Sequence, residues 1–158
     1  MYKSTFNIHP QVQLGDERRD IDYWEKEIEY KKNIISVFEI ENKLTNIIKN
    51  IKNKKNKEII DFGCGIGNAV THIKEFKKIY LVDFSLNMLS QAQNKFKKYK
   101  NINFINGNIK TQIIKQVDVI LAISSIMPKN YIEFDEIIIN FKKNIKKKWR
   151  NNTCFTIF

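Results

Sequence analysis

A chain of 158 residues, 42% hydrophobic and 12% aromatic, has room for one domain with a full core and not for two. It contains no apolar run near the roughly 20 residues of a membrane helix, and Met1-Tyr2-Lys3-Ser4-Thr5 leads into no signal-peptide core, so a cytoplasmic protein without membrane partners is expected. The formal net charge of +11 points toward polyanions, but its carriers are almost all Lys, with Arg only at positions 18, 19 and 150.

In chain order, residues 1–19 read as a polar arm containing His9 and Pro10, and residues 20–57 as N-terminal helices followed by a basic loop. Trp24, Ile28, Ile35, Phe38, Leu44, Ile47, Ile48 and Ile51 keep near-helical spacing there, which suggests two helices. Residues 58–158 read as alternating strands and helices, with strands expected near 58–62, 78–83, 102–106, 117–123 and 153–158. Ala69, Val70, Ile73 and Phe76 predict a helix after the first strand; Leu86, Leu89, Ala92 and Phe96 predict a second. Tyr131, Phe134, Ile137, Ile138, Phe141 and Ile145 form the last apolar stripe. Such alternation implies a mostly parallel sheet covered on both faces.

The segment from Glu58 to Asn68 carries most of the chemistry. Ile59, Ile60 and Phe62 form a buried-strand run that ends beside Asp61 and passes into a turn containing Gly63, Gly65 and Gly67. Glycines there allow positive φ and a close approach of backbone amides to a ligand, with the following helix N-terminus pointing back at the loop. Position 68 is Asn where a dinucleotide fingerprint needs its third glycine. Asp61 also disfavours a pyrophosphate, and with it a nicotinamide dehydrogenase, but favours a ligand bearing ammonium and sulfonium charge. Twenty residues beyond Gly63, the run Ile79-Tyr80-Leu81-Val82 ends in Asp83, placed to accept hydrogen bonds from ribose hydroxyls. Asp83 and Ser85 also read as the cap of the next helix, a role that is compatible with ligand contact.

These residues resemble the class I S-adenosylmethionine-dependent methyltransferases. The first motif of that family is similar to Asp61-Phe62-Gly63-Cys64-Gly65-Ile66-Gly67, and the second to the segment from Val82 to Leu89, which includes Phe84 and Met88. Asn106-Gly107-Asn108, followed by Ile109, resembles the place where the family has an acidic residue on the adenine amino group; Asn108 can accept that bond through its carbonyl oxygen. Val117 to Ser125, with Ala122, resembles the strand whose C-terminal end faces the methyl group. The resemblance implies a three-layer α/β Rossmann-like fold of strand order 3-2-1-4-5. It implies S-adenosyl-L-methionine as cofactor, bound by Asp61, Gly63, Cys64, Gly65, Gly67, Asp83, Phe84, Met88, Asn108, Ile109 and Ala122. Family members usually continue past the fifth strand with a helix and two more strands. Here the chain stops at Thr156-Ile157-Phe158, so either a second copy or a partner chain is expected to cover the last strand's edge, or the chain is expected to be a fragment of a longer ancestor.

Three functions follow from the resemblance. One is methyl transfer by in-line displacement to a small-molecule acceptor; the second is methylation of RNA such as tRNA; the third is an inactive cofactor-binding or protein-interaction module. An RNA substrate requires basic residues around the cofactor mouth and steep salt dependence. The Lys clusters at 49–57 and 142–150 are the ones to follow, although Lys, Asn and Ile are all abundant, as an A+T-rich genome favours. Ile123-Ser124-Ser125-Ile126 lacks the Asn or Asp, two prolines and aromatic common in methyltransferases acting on base amines, which favours the small acceptor. A hydroxyl acceptor needs a base, and His9 on the arm is the candidate, with His72 expected on the solvated side of its helix. Tyr23 and Trp24 are candidates for cation–π contact with a sulfonium, or for core packing. Cys64 and Cys154 form no metal-ligand pair and read as reduced thiols, so no metal is expected.

Overall fold

The computed structural model describes residues 37–114, 116–123, 125–126, 128, 130–147 and 155–157, leaving aside the side chains of 37–43 and 155–157. The elements in chain order are α1 (Val37–Asn50), a 3-10 turn (Lys54–Asn56), β1 (Glu58–Phe62), α2 (Val70–Ile73), β2 (Lys78–Asp83), α3 (Leu86–Phe96), β3 (Ile102–Asn106), β4 (Val119–Ala122), α4 (Tyr131–Asn144) and β5 (Phe155–Ile157). The strands pair in parallel in the order β3-β2-β1-β4-β5. This is the expected α/β Rossmann-like order. His9, Tyr23, Trp24 and Cys154 lie outside the described residues.

Strand periodicity builds the two cores. Ile59, Leu81 and Leu121 point to one face, where they meet Leu44 and Ile48 of α1, Val70 and Ile73 of α2, and Leu89 and Phe96 of α3. Ile60, Phe62, Val82 and Ile120 point to the other and meet Ile137 and Phe141 of α4. Phe62 stacks on Phe141 with ring centroids 5.3 Å apart. With both faces covered, the strands need no polar side, which is why they read as continuous apolar runs.

Several expectations are corrected. The helix after the glycine turn stops at Ile73 rather than reaching Phe76. Bonds from the His72 N–H to the Ala69 carbonyl and from the Phe76 N–H to the Ile73 carbonyl tighten the chain there, and β2 begins at Lys78. With a single turn, α2 has almost no macrodipole to direct at a ligand. His72 is not solvated: it is half-buried, and its Nδ1 shares a 3.2 Å hydrogen bond with Thr45 Oγ1 of α1. The fourth strand begins at Val119, since Val117 instead bridges to Ile145.

Residues 107–114 form no helix, and α4 supplies partners for their backbone. Asn140 Nδ2 donates to the carbonyls of Ile109 (2.7 Å) and Gln112 (3.1 Å). Asn144 Nδ2 donates to Gln112 O and Asn140 O at 3.0 Å, while its Oδ1 accepts from Ile114 N at 2.9 Å. Two buried polar side chains thus replace the hydrogen bonds that a crossover helix would have made for itself.

Candidate functional site

β1 pairs with β2 on one side and with β4 on the other, so the chain's path reverses at the C-terminal end of β1. Open parallel sheets bind ligands in the crevice at such a reversal. The glycine loop after Phe62 lies there, together with the ends of β2 and β4. Asp61 is paired with Leu81 on one side and Leu121 on the other, which buries its carboxyl to 2% exposure. Burial, and secondarily the charge of Asp83, pushes its pKa from 3.8 up to about 8. The carboxyl is therefore largely protonated at neutral pH. A cation placed beside it would draw the proton off, whereas an anion would hold it in the protonated form.

Asp83 braces the loop. Its Oδ2 accepts from the Gly65 N–H at 2.7 Å and its Oδ1 from the Ser85 N–H at 3.0 Å. Ser85 caps α3 by accepting from the Met88 N–H at 3.2 Å.

The loop amides differ from expectation. Those of Gly63 and Cys64 both donate to Val82 O, at 2.8 and 3.1 Å, that of Gly65 to Asp83, and that of Gly67 to Cys64 O at 2.9 Å. Four amides expected to approach a ligand are already engaged, so they offer no nest for a phosphate. All three glycines have positive φ, for different steric reasons. A Cβ on Gly63 would lie 2.2 Å from Ser125 Cβ, and one on Gly67 would lie 2.7 Å from the Phe96 ring. A Cβ on Gly65 would meet nothing within 4 Å. Gly63 and Gly67 close the loop against the protein; Gly65 leaves the open side.

The remaining candidates divide. Cys64 is buried, and burial with the Asp61 and Asp83 charges raises its thiol well above the ordinary value, so it is an inert thiol. Met88 and Ala122 are buried, while Phe84 is half-buried with its carbonyl accepting from Asn106 Nδ2 at 2.9 Å. Asn108 is exposed, and its Oδ1 accepts from the Lys110 N–H at 2.8 Å in its own turn, leaving one lone pair. The Ile109 side chain packs against the α4-side core. Ser125 was missed by sequence reasoning: its Oγ is buried without a hydrogen-bond partner, beside Gly63 just beyond β4. Nothing in sequence separates it from an ordinary loop serine. Among the described residues no His, Cys, Asp and Glu cluster could hold a metal ion, and no helix is long and apolar enough to cross a membrane.

A family model described as a methyltransferase domain matches residues 53–154. Phosphoethanolamine N-methyltransferase 1 of Haemonchus contortus, solved with phosphoethanolamine and S-adenosylhomocysteine, is similar over 79% of this chain and 29% of its own (19% identity, TM-score 0.63). A SAM-dependent methyltransferase of Leishmania major is similar over 87% of this chain and 58% of its own (14% identity, TM-score 0.70). Magnesium protoporphyrin IX methyltransferase of Synechocystis, solved with bound SAM, is similar over 68% and 54% (18% identity, TM-score 0.60). The chain thus spans between about a third and three fifths of these proteins' lengths. No curated protein sequence matches.

Proposed function

From the premise that this chain belongs to the class I S-adenosylmethionine-dependent methyltransferase family, we propose that it transfers a methyl group from S-adenosyl-L-methionine to a small-molecule acceptor. The carrying observation is the pair of carboxyl groups near the ends of adjacent strands, Asp61 and Asp83, around a loop in which the amides of Gly63, Cys64, Gly65 and Gly67 have internal partners. That arrangement favours a cationic, ribose-bearing ligand and disfavours a pyrophosphate. The open side of Gly65 fits such a cofactor.

In this reading Asp83 holds ribose hydroxyls, Asp61 faces the cationic end as a carboxylate, and Gly65 admits the close approach. Phe84, Met88, Asn108, Ile109 and Ala122 complete the surround. The bound cofactor supplies a methyl group already activated by sulfonium charge. The chain's own tasks are to orient the acceptor and to exclude water. An RNA acceptor would call for basic residues around the mouth; among the described residues of the loops that follow the strands the lysine is Lys110, paired with Glu133 at 2.7 Å, which favours the small acceptor.

Calorimetric titration with S-adenosylmethionine and S-adenosylhomocysteine, with NAD and an Asp83→Ala variant as controls, tests the reading. Binding of the first two ligands that is lost in the variant supports it, and an acceptor screen then follows. Binding without transfer to any acceptor would favour an inactive cofactor-binding module. Absence of binding in folded protein would overturn the enzyme reading.

A further inference from the structure

The end of the sheet opposite the glycine loop has a different character. The segments that lead into β1, β2 and β3, residues 52–57, 74–77 and 97–100, contain nine lysines and one acid, Glu75. Seven of the nine lysines are exposed, which leaves their ammonium groups in reach of a partner. The loops that follow the strands, residues 63–69, 84–85, 107–116 and 123–130, are nearly twice as long in total and contain three lysines. Lys overuse by codon composition would not sort the residue to one end of a sheet. Attraction to helix C-termini explains a lysine or two at the ends of α1 and α3, but not three loops of them.

The loops are tied to one another. The Lys77 N–H donates to the carbonyls of Lys57 (2.9 Å) and Lys54 (3.2 Å). Asn101 Nδ2 donates to Phe76 O (2.9 Å) and Lys74 O (3.2 Å), and Asn101 O accepts from the Ile79 N–H at 2.9 Å. Glu75 is itself exposed and reaches Lys54 at only 3.9 Å, so it neutralises little. Three adjacent strands therefore present their lysines as one surface, whose loop ends span about 10 Å at the spacing of parallel strands.

We propose that this face binds the sugar-phosphate backbone of a nucleic acid, independently of the cofactor site. Lysines act as point charges on phosphates and read no base, so binding is expected to be sequence-independent and dominated by counterion release. A nucleic acid fits better than a lipid surface. The exposed large apolar residues among those described, Leu86, Ile113, Tyr131, Ile132 and Ile139, all lie outside these three loops, which offer nothing to insert into a bilayer. β2 separates this face from the cofactor mouth by about 20 Å at the rise of a strand, so the nucleic acid is an anchor and not the methyl acceptor.

Fluorescence anisotropy with a labelled, mixed-sequence RNA of about 20 nucleotides, titrated with salt, tests this. Lys55→Gln/Lys77→Gln/Lys100→Gln is expected to weaken binding about tenfold or more and to reduce the log–log salt slope by about two. A control with the same loss of charge at the other end, Thr111→Glu/Ile113→Glu/Ile132→Glu, is expected to leave both nearly unchanged. Lys52→Gln/Lys74→Gln/Lys98→Gln repeats the test should the first variant melt early. Equal losses in the charge-matched control, or no binding by the parent protein at low salt, would overturn the proposal. So would phosphatidylserine vesicles that bind more tightly than RNA through the same lysines.

Discussion

Asp61 sets the pH behaviour of the site. Its carboxyl titrates near 8 in the folded chain and near 3.8 in a free one. The native state therefore holds this proton more tightly than the unfolded chain, and its contribution to stability is lost as pH rises from about 4 to about 8. Asp61→Asn removes that penalty, so the variant is expected to melt higher than the parent at pH 9, by on the order of 5 °C. The same variant is expected to lose cofactor affinity, measured by calorimetry. In the parent at pH 7, binding a cationic cofactor is expected to release about one proton, readable by titration in buffers of different ionisation enthalpy. The glycines separate in a similar way. Gly63→Ala combines positive φ with the 2.2 Å clash on Ser125, and a loss of about 3 kcal/mol or more in denaturant unfolding is expected. Gly65→Ala meets open space, so about 1 kcal/mol of backbone strain is expected, together with weakened cofactor binding.

At the level of elements, the two buried asparagines of α4 decide whether the β3–β4 connection keeps its shape. Asn144→Ala strands the Ile114 N–H and withdraws a donor from Gln112 O, and a loss of about 2–4 kcal/mol is expected in urea unfolding. Sequence shows the helix plainly, because Ile137 and Phe141 keep its period. It does not show that Asn140 and Asn144 face inward, since their partners are backbone groups about thirty residues away. The strands were legible for the opposite reason: a strand covered on both faces writes its burial into every residue, as Ile59 to Phe62 and Ile79 to Val82 do. The short α2 was misjudged because apolar spacing at Val70, Ile73 and Phe76 suits a tight turn as well as a helix. In the glycine loop, the residue types were readable and the hydrogen-bond partners were not. Val82 O, the shared acceptor for two loop amides, belongs to another strand. His72 was misplaced likewise, because its partner Thr45 stands on an element twenty-seven residues earlier.

For the whole molecule, a parallel sheet separates the turns that precede strands from those that follow them. One end of this sheet has the buried Asp83, joined by Asp61 as a carboxylate when a cation binds, and the other has the lysine loops. Among the described residues this separation amounts to an electric dipole with a preferred orientation in any field. A negatively charged support should capture it by the lysine end and leave the opening toward solvent. Protein adsorbed on a sulfonate resin at low salt is expected to bind S-adenosylmethionine with the affinity of free protein, checked by radiolabelled-ligand depletion. Any larger negatively charged body that takes hold of that end leaves the ligand's way in unobstructed, so being held fast and being accessible are compatible states of one molecule.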